Sequence, residues 1–172
     1  MKEYINEINK IMDNINYGFI TKDNKIINDN NSKEWDNFNE YYYLQSPEEL
    51  LKSKVGVCWD QVELERYLFS KYNINTKTYF IYLDDLENLP SHTFLVYQDN
   101  NKYYWYEHSW YNQKGIHEYN NLNELLLDVK NKFISDYDNS YKLYLYEYQK
   151  PKYHITCNEF YKYLETQKQI NI

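Results

Sequence analysis

Cys58 stands in the stretch Val55-Gly56-Val57-Cys58-Trp59-Asp60-Gln61, and His92 opens the apolar run His92-Thr93-Phe94-Leu95-Val96-Tyr97. A cysteine at a helix start and a histidine at a strand start are what a thiol nucleophile and its base require. A free thiol with a pKa of about 8.5 is mostly protonated at neutral pH, and the thiolate is the reactive form. A helix N-terminus and a nearby imidazolium both favour that form. Gly56 is expected to let the backbone turn sharply and a substrate come close. The amide N–H groups at the helix start can hold an oxyanion. Asp60 opposes a thiolate by like charge and doubles as a first-turn carboxylate that helps the helix begin. Glu107, in Tyr104-Trp105-Tyr106-Glu107-His108-Ser109-Trp110, can orient the imidazole.

The segment Asp99-Asn100-Asn101-Lys102 reads as a tight turn between two strands. With Asn100-Asn101 as a two-residue turn, Phe94 faces Glu107. His92 and Glu107 then lie on one sheet face as diagonal neighbours, roughly 7–8 Å apart at the backbone, a gap that a Glu side chain can cover. His108 falls on the opposite face, because strand neighbours alternate. A one-residue change of register would undo the arrangement. As a strand-end residue outside the buried core, Glu107 is expected to tolerate Glu107→Gln with folding near normal.

Three further residues are candidates for binding. Trp59 and Trp110 can wall a cleft beside the trio, and Gln45 can donate to an oxyanion. The bland alternatives are packing for Trp59 and plain surface polarity for Gln45. Cys157, in Thr156-Cys157-Asn158-Glu159, sits in a helix-capping turn and reads as structural. Cys58, His92, His108 and His117 lack the tight paired spacing of a zinc site, so no metal and no cofactor are expected.

The elements that must position these residues follow from periodicity. Ile5, Ile8, Met12 and Ile15 mark an amphipathic helix over residues 3–15. Tyr17-Gly18-Phe19-Ile20 and Lys25-Ile26-Ile27 flank Asp23-Asn24 as a small hairpin. Residues 28–40 read as a loop. Ser46-Pro47-Glu48-Glu49 is a strong start for a short helix ending near Ser53. A helix from Cys58 to about Tyr72 carries Val62, Leu64, Leu68 and Phe69 on more than one face, which marks it as central. Asn73 can take the left-handed position after it. Strands are expected at Lys77–Leu83, His92–Gln98, Tyr103–Trp110 and Lys142–Tyr148. Helices are expected after Asn121 and after Thr156. The pattern is α+β in a single domain spanning residues 1–172.

Composition narrows the function class. The chain has 172 residues, enough for one core without a disulfide or metal. It uses tyrosine 23 times and alanine not at all, a bias expected of an AT-rich bacterial or phage genome. A net charge of −7 and the absence of a basic run argue against nucleic-acid binding. No apolar stretch is long enough for a membrane span, and the N-terminus has no signal-peptide pattern. Two cysteines do not make a disulfide framework, so a reducing cytoplasm is the expected setting.

From Gly56 to Ile74 the chain resembles the nucleophile helix of the transglutaminase-like superfamily: a Gly-x-Cys, then small or apolar residues four, six and ten positions on, here Val62, Leu64 and Leu68. Asn73-Ile74 stands where the family has Gly-Ile. His92 resembles the histidine that begins the family's second block, and Glu107 lies where the family usually has Asp. The resemblance covers about residues 44–112, and the order Cys, His, acid is shared with papain-like folds. Besides Glu for Asp and Asn for Gly, the chain has Glu107-His108-Ser109 in place of the common Asp-Pro-Thr. The resemblance implies a nucleophile helix packed on an antiparallel sheet. It also implies thioester chemistry on an amide or ester carbonyl of a protein, a peptide or a small amide, by a hydrolase or an acyltransferase. The alternative is a non-catalytic binding module that keeps the fold.

Overall fold

The computed structural model describes residues 2–28, 32–84, 90–137 and 142–172. In chain order its elements are α1 (Glu3–Met12), β1 (Phe19–Ile20), β2 (Ile26–Ile27), α2 (Lys33–Asp36), α3 (Phe38–Tyr41), α4 (Pro47–Ser53), α5 (Cys58–Ser70), β3 (Thr76–Asp84), β4 (Ser91–Asp99), β5 (Lys102–Glu107), β6 (Gly115–Tyr119), α6 (Leu122–Ser135), β7 (Lys142–Tyr148), α7 (Cys157–Leu164) and β8 (Lys168–Gln169). A short 3₁₀ turn spans Tyr111–Gln113. The fold is α+β, built on a six-stranded sheet of order β6-β5-β4-β3-β7-β8 in which each neighbouring pair is antiparallel.

Strand alternation divides the core. On β4, Leu95 and Tyr97 face α1 and α5, packing with Ile5, Leu64, Leu68 and Phe69. Phe94 and Val96 face the other way, against Leu125, Val129 and Phe133 of α6. The helix α5 is therefore sandwiched rather than laid on a surface, and ten of its 13 residues are buried. An amphipathic helix would be apolar on one stripe only. Here Asp60, Glu63 and Glu65 are buried too. A buried carboxylate needs partners, and Glu63 has them: Arg66 at 3.0 Å and the Tyr148 hydroxyl at 3.3 Å.

Most of the expected elements form. The capping box predicted at Ser46 is present, with the Ser46 hydroxyl accepting from the Glu49 N–H and the Glu49 carboxylate accepting from the Ser46 N–H. A second box forms at Thr156 and Glu159. Asn73 adopts φ 56°, the left-handed conformation that ends the α5 segment. Residues 33–41 differ from the expected loop. They form α2 and α3, because Trp35 and Phe38 stack on one another at 5.6 Å and both meet the edge of Phe19 at 5.0 Å. That contact lies outside the reach of local periodicity. The edge strands β6 and β8 were not anticipated; five and two residues long, they take their order from the strands they pair with.

Candidate active site

Cys58 is the first residue of α5, and Asp60 explains why the helix begins there. The Asp60 carboxylate accepts from the Val57 N–H at 3.0 Å, from the Gln45 N–H at 2.9 Å and from the Tyr42 hydroxyl at 3.2 Å. It thereby ties the segment before α4 to the first turn of α5. Burial pushes the Asp60 carboxyl up to about 7, and these donors pull the other way. Gly56 has a different role from the expected one. A Cβ there would lie 2.7 Å from Leu50 Cδ1 and 2.8 Å from Asp60 Cβ, so the glycine admits α4 and the capping carboxylate rather than a substrate. Beyond Val57, the first-turn N–H groups of Cys58 and Trp59 have no carbonyl one turn earlier in the helix to bond to.

The β4–β5 hairpin turns at Asn100 and Asn101, with φ 47° and 61°. Such left-handed angles at both positions define the two-residue turn whose twist suits a hairpin. The register runs from Asp99 opposite Lys102 to Leu95 opposite Tyr106, as that turn requires. It brings His92 Nε2 to 2.8 Å from Glu107 Oε2. Cys58 is also near the ring, close enough to favour its charged form. Burial alone would lower the His92 pKa. The Glu107 carboxylate and Cys58 outweigh it and raise the value to about 10, which leaves an imidazolium at neutral pH.

Glu107 is more deeply held than a strand end suggests, at 4% exposure. Besides His92, its Oε2 accepts from Trp105 Nε1 at 3.2 Å, and its Oε1 accepts from the Trp110 N–H at 2.7 Å and the Ser109 hydroxyl at 3.2 Å. Burial works to raise the Glu107 pKa, but His92 and these donors hold it below the usual carboxylate value. The premise that Glu107 sits at an unburied strand end does not hold: four donors converge on one buried carboxylate. His108 points away, as alternation requires, with Nδ1 2.7 Å from Gln61 Oε1.

A cleft of about 180 Å³ opens onto His92, walled by Tyr17, Trp110, Tyr111, Asp136 and Tyr137. Trp110 lies edge-on to His92 at 5.2 Å between ring centroids. Tyr17, about half exposed, reaches the same cleft from the turn after α1. Trp59 does not line this cleft. It is 5% exposed and packs on Phe160 at 4.4 Å and on Tyr42 and Phe80. Gln45 likewise turns inward, with its amide donating to Val55 O at 2.9 Å and its carbonyl accepting from Ser53 at 2.9 Å, so both its polar atoms serve the chain before Gly56. Cys157 is buried at α7, and burial followed by Asp60 pushes its thiol up to about 12.

The sequence reading missed Ser109 and Trp105 as donors to Glu107, and missed Tyr17, Asp136 and Tyr137. Trp105 was legible in principle, since it sits two residues before Glu107 and so on the same strand face. The others reach the cleft from distant elements. Among the described residues, no group of three or more His, Cys, Asp or Glu could hold a metal ion, and no helix is long and apolar enough to cross a membrane. No protein-family model matches the chain, and no curated protein matches its sequence.

Proposed function

We propose that the protein is a cysteine-dependent hydrolase or acyltransferase of the transglutaminase-like type, acting on an amide or ester carbonyl of a protein, a peptide or a small amide. One observation carries the reading: a buried imidazole lies 2.8 Å from the Glu107 carboxylate, and Cys58 at the start of α5 is near enough to raise its pKa. In this reading the Cys58 thiolate attacks the carbonyl carbon, and the free N–H groups of the first turn of α5 hold the oxyanion. The His92 imidazolium gives its proton to the leaving amine or alcohol. The neutral imidazole then takes a proton from water, or from an amine, which attacks the thioester and releases Cys58. Glu107 holds the imidazole ring in place through Nε2 and stabilises its charged form.

A panel of chromogenic esters and peptidyl amides tests the reading. Turnover that disappears in Cys58→Ala and falls in His92→Ala is expected. Turnover unchanged in Cys58→Ala overturns it. A second reading, a binding module that keeps the fold without the chemistry, draws support from the 6% exposure of Cys58. It predicts no turnover on any member of the panel and unchanged folding in Cys58→Ala.

A further inference from the structure

Three of the large apolar residues left exposed on the described surface converge on one cleft: Tyr17 at 48%, Tyr111 at 87% and Tyr137 at 44% exposure. Trp110, Asp136 and His92 also line it. Aromatic rings held in water around a concavity mark a binding surface. Their faces carry negative quadrupole density that attracts cations. Asp136 is an exposed carboxylate at the C-cap of α6, where the unpaired carbonyls of the last turn add partial negative charge. No lysine or arginine lines the cleft among the described residues. The Glu107 carboxylate lies just behind His92, in a chain whose net charge is −7.

We propose that this cleft is a recognition subsite for a cationic side chain, the lysine or arginine of a peptide whose neighbouring carbonyl is presented to Cys58. The aliphatic stem packs against Tyr17, Trp110 and Tyr137, the charge lies over the ring faces, and Asp136 pairs with it. A neutral side chain of the same shape keeps the packing and loses both electrostatic contributions. This assignment rests on the reading of Cys58 and His92 as a reactive pair.

Two methanethiosulfonate reagents of opposite charge, trimethylammonioethyl and sulfonatoethyl, test it in the full chain carrying Cys157→Ser. In each reaction the Cys58 sulfur displaces sulfinate and forms a mixed disulfide, so the rate reads the charge preference of the cleft. Relative to a free small thiol, the cation-over-anion rate ratio is expected to be raised about five- to thirty-fold, the size of an exposed ion pair plus a cation–π contact. Asp136→Asn should remove a large part of that preference, and Asp136→Lys should reverse it. Tyr111→Ser, at the most exposed ring, should reduce it without touching the trio. In a matched arm, arginyl peptide amides should exceed their citrulline counterparts in kcat/KM, and Asp136→Asn should narrow the gap. A Cys58 that reacts readily with both reagents at the ratio of the free thiol, or a preference unchanged in Asp136→Asn, overturns the cation subsite alone. A Cys58 inert to both reagents overturns the reactive pair and the subsite together.

Discussion

Glu107→Gln exchanges one acceptor oxygen for an NH₂ group at nearly constant shape, and the surroundings dictate where that group can go. At the Oε1 position it would meet the Trp110 backbone N–H, 2.7 Å away, a donor that cannot change role. At the Oε2 position it would meet His92 Nε2 at 2.8 Å, which can become an acceptor by giving up its proton, and Trp105 Nε1, which cannot. The less costly choice is the second, and it forces His92 into the neutral form with its proton on Nδ1, the nitrogen left for Cys58. The variant therefore loses the imidazolium and the correct tautomer together. With the carboxylate gone, burial is left opposed only by Cys58, so the His92 pKa falls from about 10. The indole N–H left facing a donor costs stability on the order of 1–3 kcal/mol. A thiolate–imidazolium pair leans less on its third member than a serine triad does. Turnover is expected to drop by about 10- to 1000-fold, equivalent to roughly 1.4–4 kcal/mol. Nitrogen-15 NMR of labelled histidine across pH 5–11 reads tautomer and ionisation directly, and steady-state rates on the ester panel read the catalytic loss. An Nε2-protonated or doubly protonated His92 at pH 8 in Glu107→Gln, with rates at the wild-type level, would refute the reasoning.

Three more outcomes are expected. Iodoacetamide at neutral pH should alkylate Cys58 and spare Cys157, a residue 1% exposed whose thiol is pushed up to about 12; peptide mapping of the native protein decides it, and labelling of Cys157 ahead of Cys58 would contradict the assignment. Gly56→Ala should destabilise by about 1–3 kcal/mol in urea unfolding, because its Cβ meets Leu50 and Asp60 under 3 Å; a variant as stable as the parent would show that the α4–α5 junction is loose. Asp60 binds its proton more tightly in the folded chain than in the unfolded one, so its contribution to stability falls as pH rises from about 4 to about 7 and is level above that. Asp60→Asn should remove this component, making the difference in unfolding free energy between parent and variant pH-dependent across that window and flat beyond it. A difference that stays constant from pH 4 to 8 would show that the three hydrogen-bond donors keep Asp60 ionised throughout.

The parts of the site legible in the sequence were those set by local rules. The two-asparagine turn fixed the β4–β5 register, and the register placed His92 beside Glu107. Ser46 and Thr156 announced their helices through capping chemistry that spans only three residues. What escaped depends on contacts between distant segments. Trp35 and Phe38 build α2 and α3 only because Phe19 offers an edge to stack on. Gln45 and Asp60 both carry polar groups suited to chemistry, yet Gln45 turns its own to Val55 and Ser53 while Asp60 holds the segment around Gln45. Gly56 looked like a residue kept small for a ligand and is kept small for Leu50. The cleft joins the turn after α1, the turn after β5 and the end of α6, and no spacing along the chain ties Tyr17 to Trp110 or to Asp136. Glu107 shows the same limit from the other side: its position was readable, its burial under four donors was not.

The central claim is that Cys58 forms a thioester with help from His92. The direct measurement is acid-quench trapping: an activated ester is mixed with the protein, quenched within the first turnover, and the adduct located by mass spectrometry of the intact chain and its peptides. The account predicts one acyl group, on the peptide containing Cys58, labile to hydroxylamine, absent in Cys58→Ala and slow to form in His92→Ala. An acyl group that settles on another residue, or that forms on Cys58 at the same rate in His92→Ala, would contradict it.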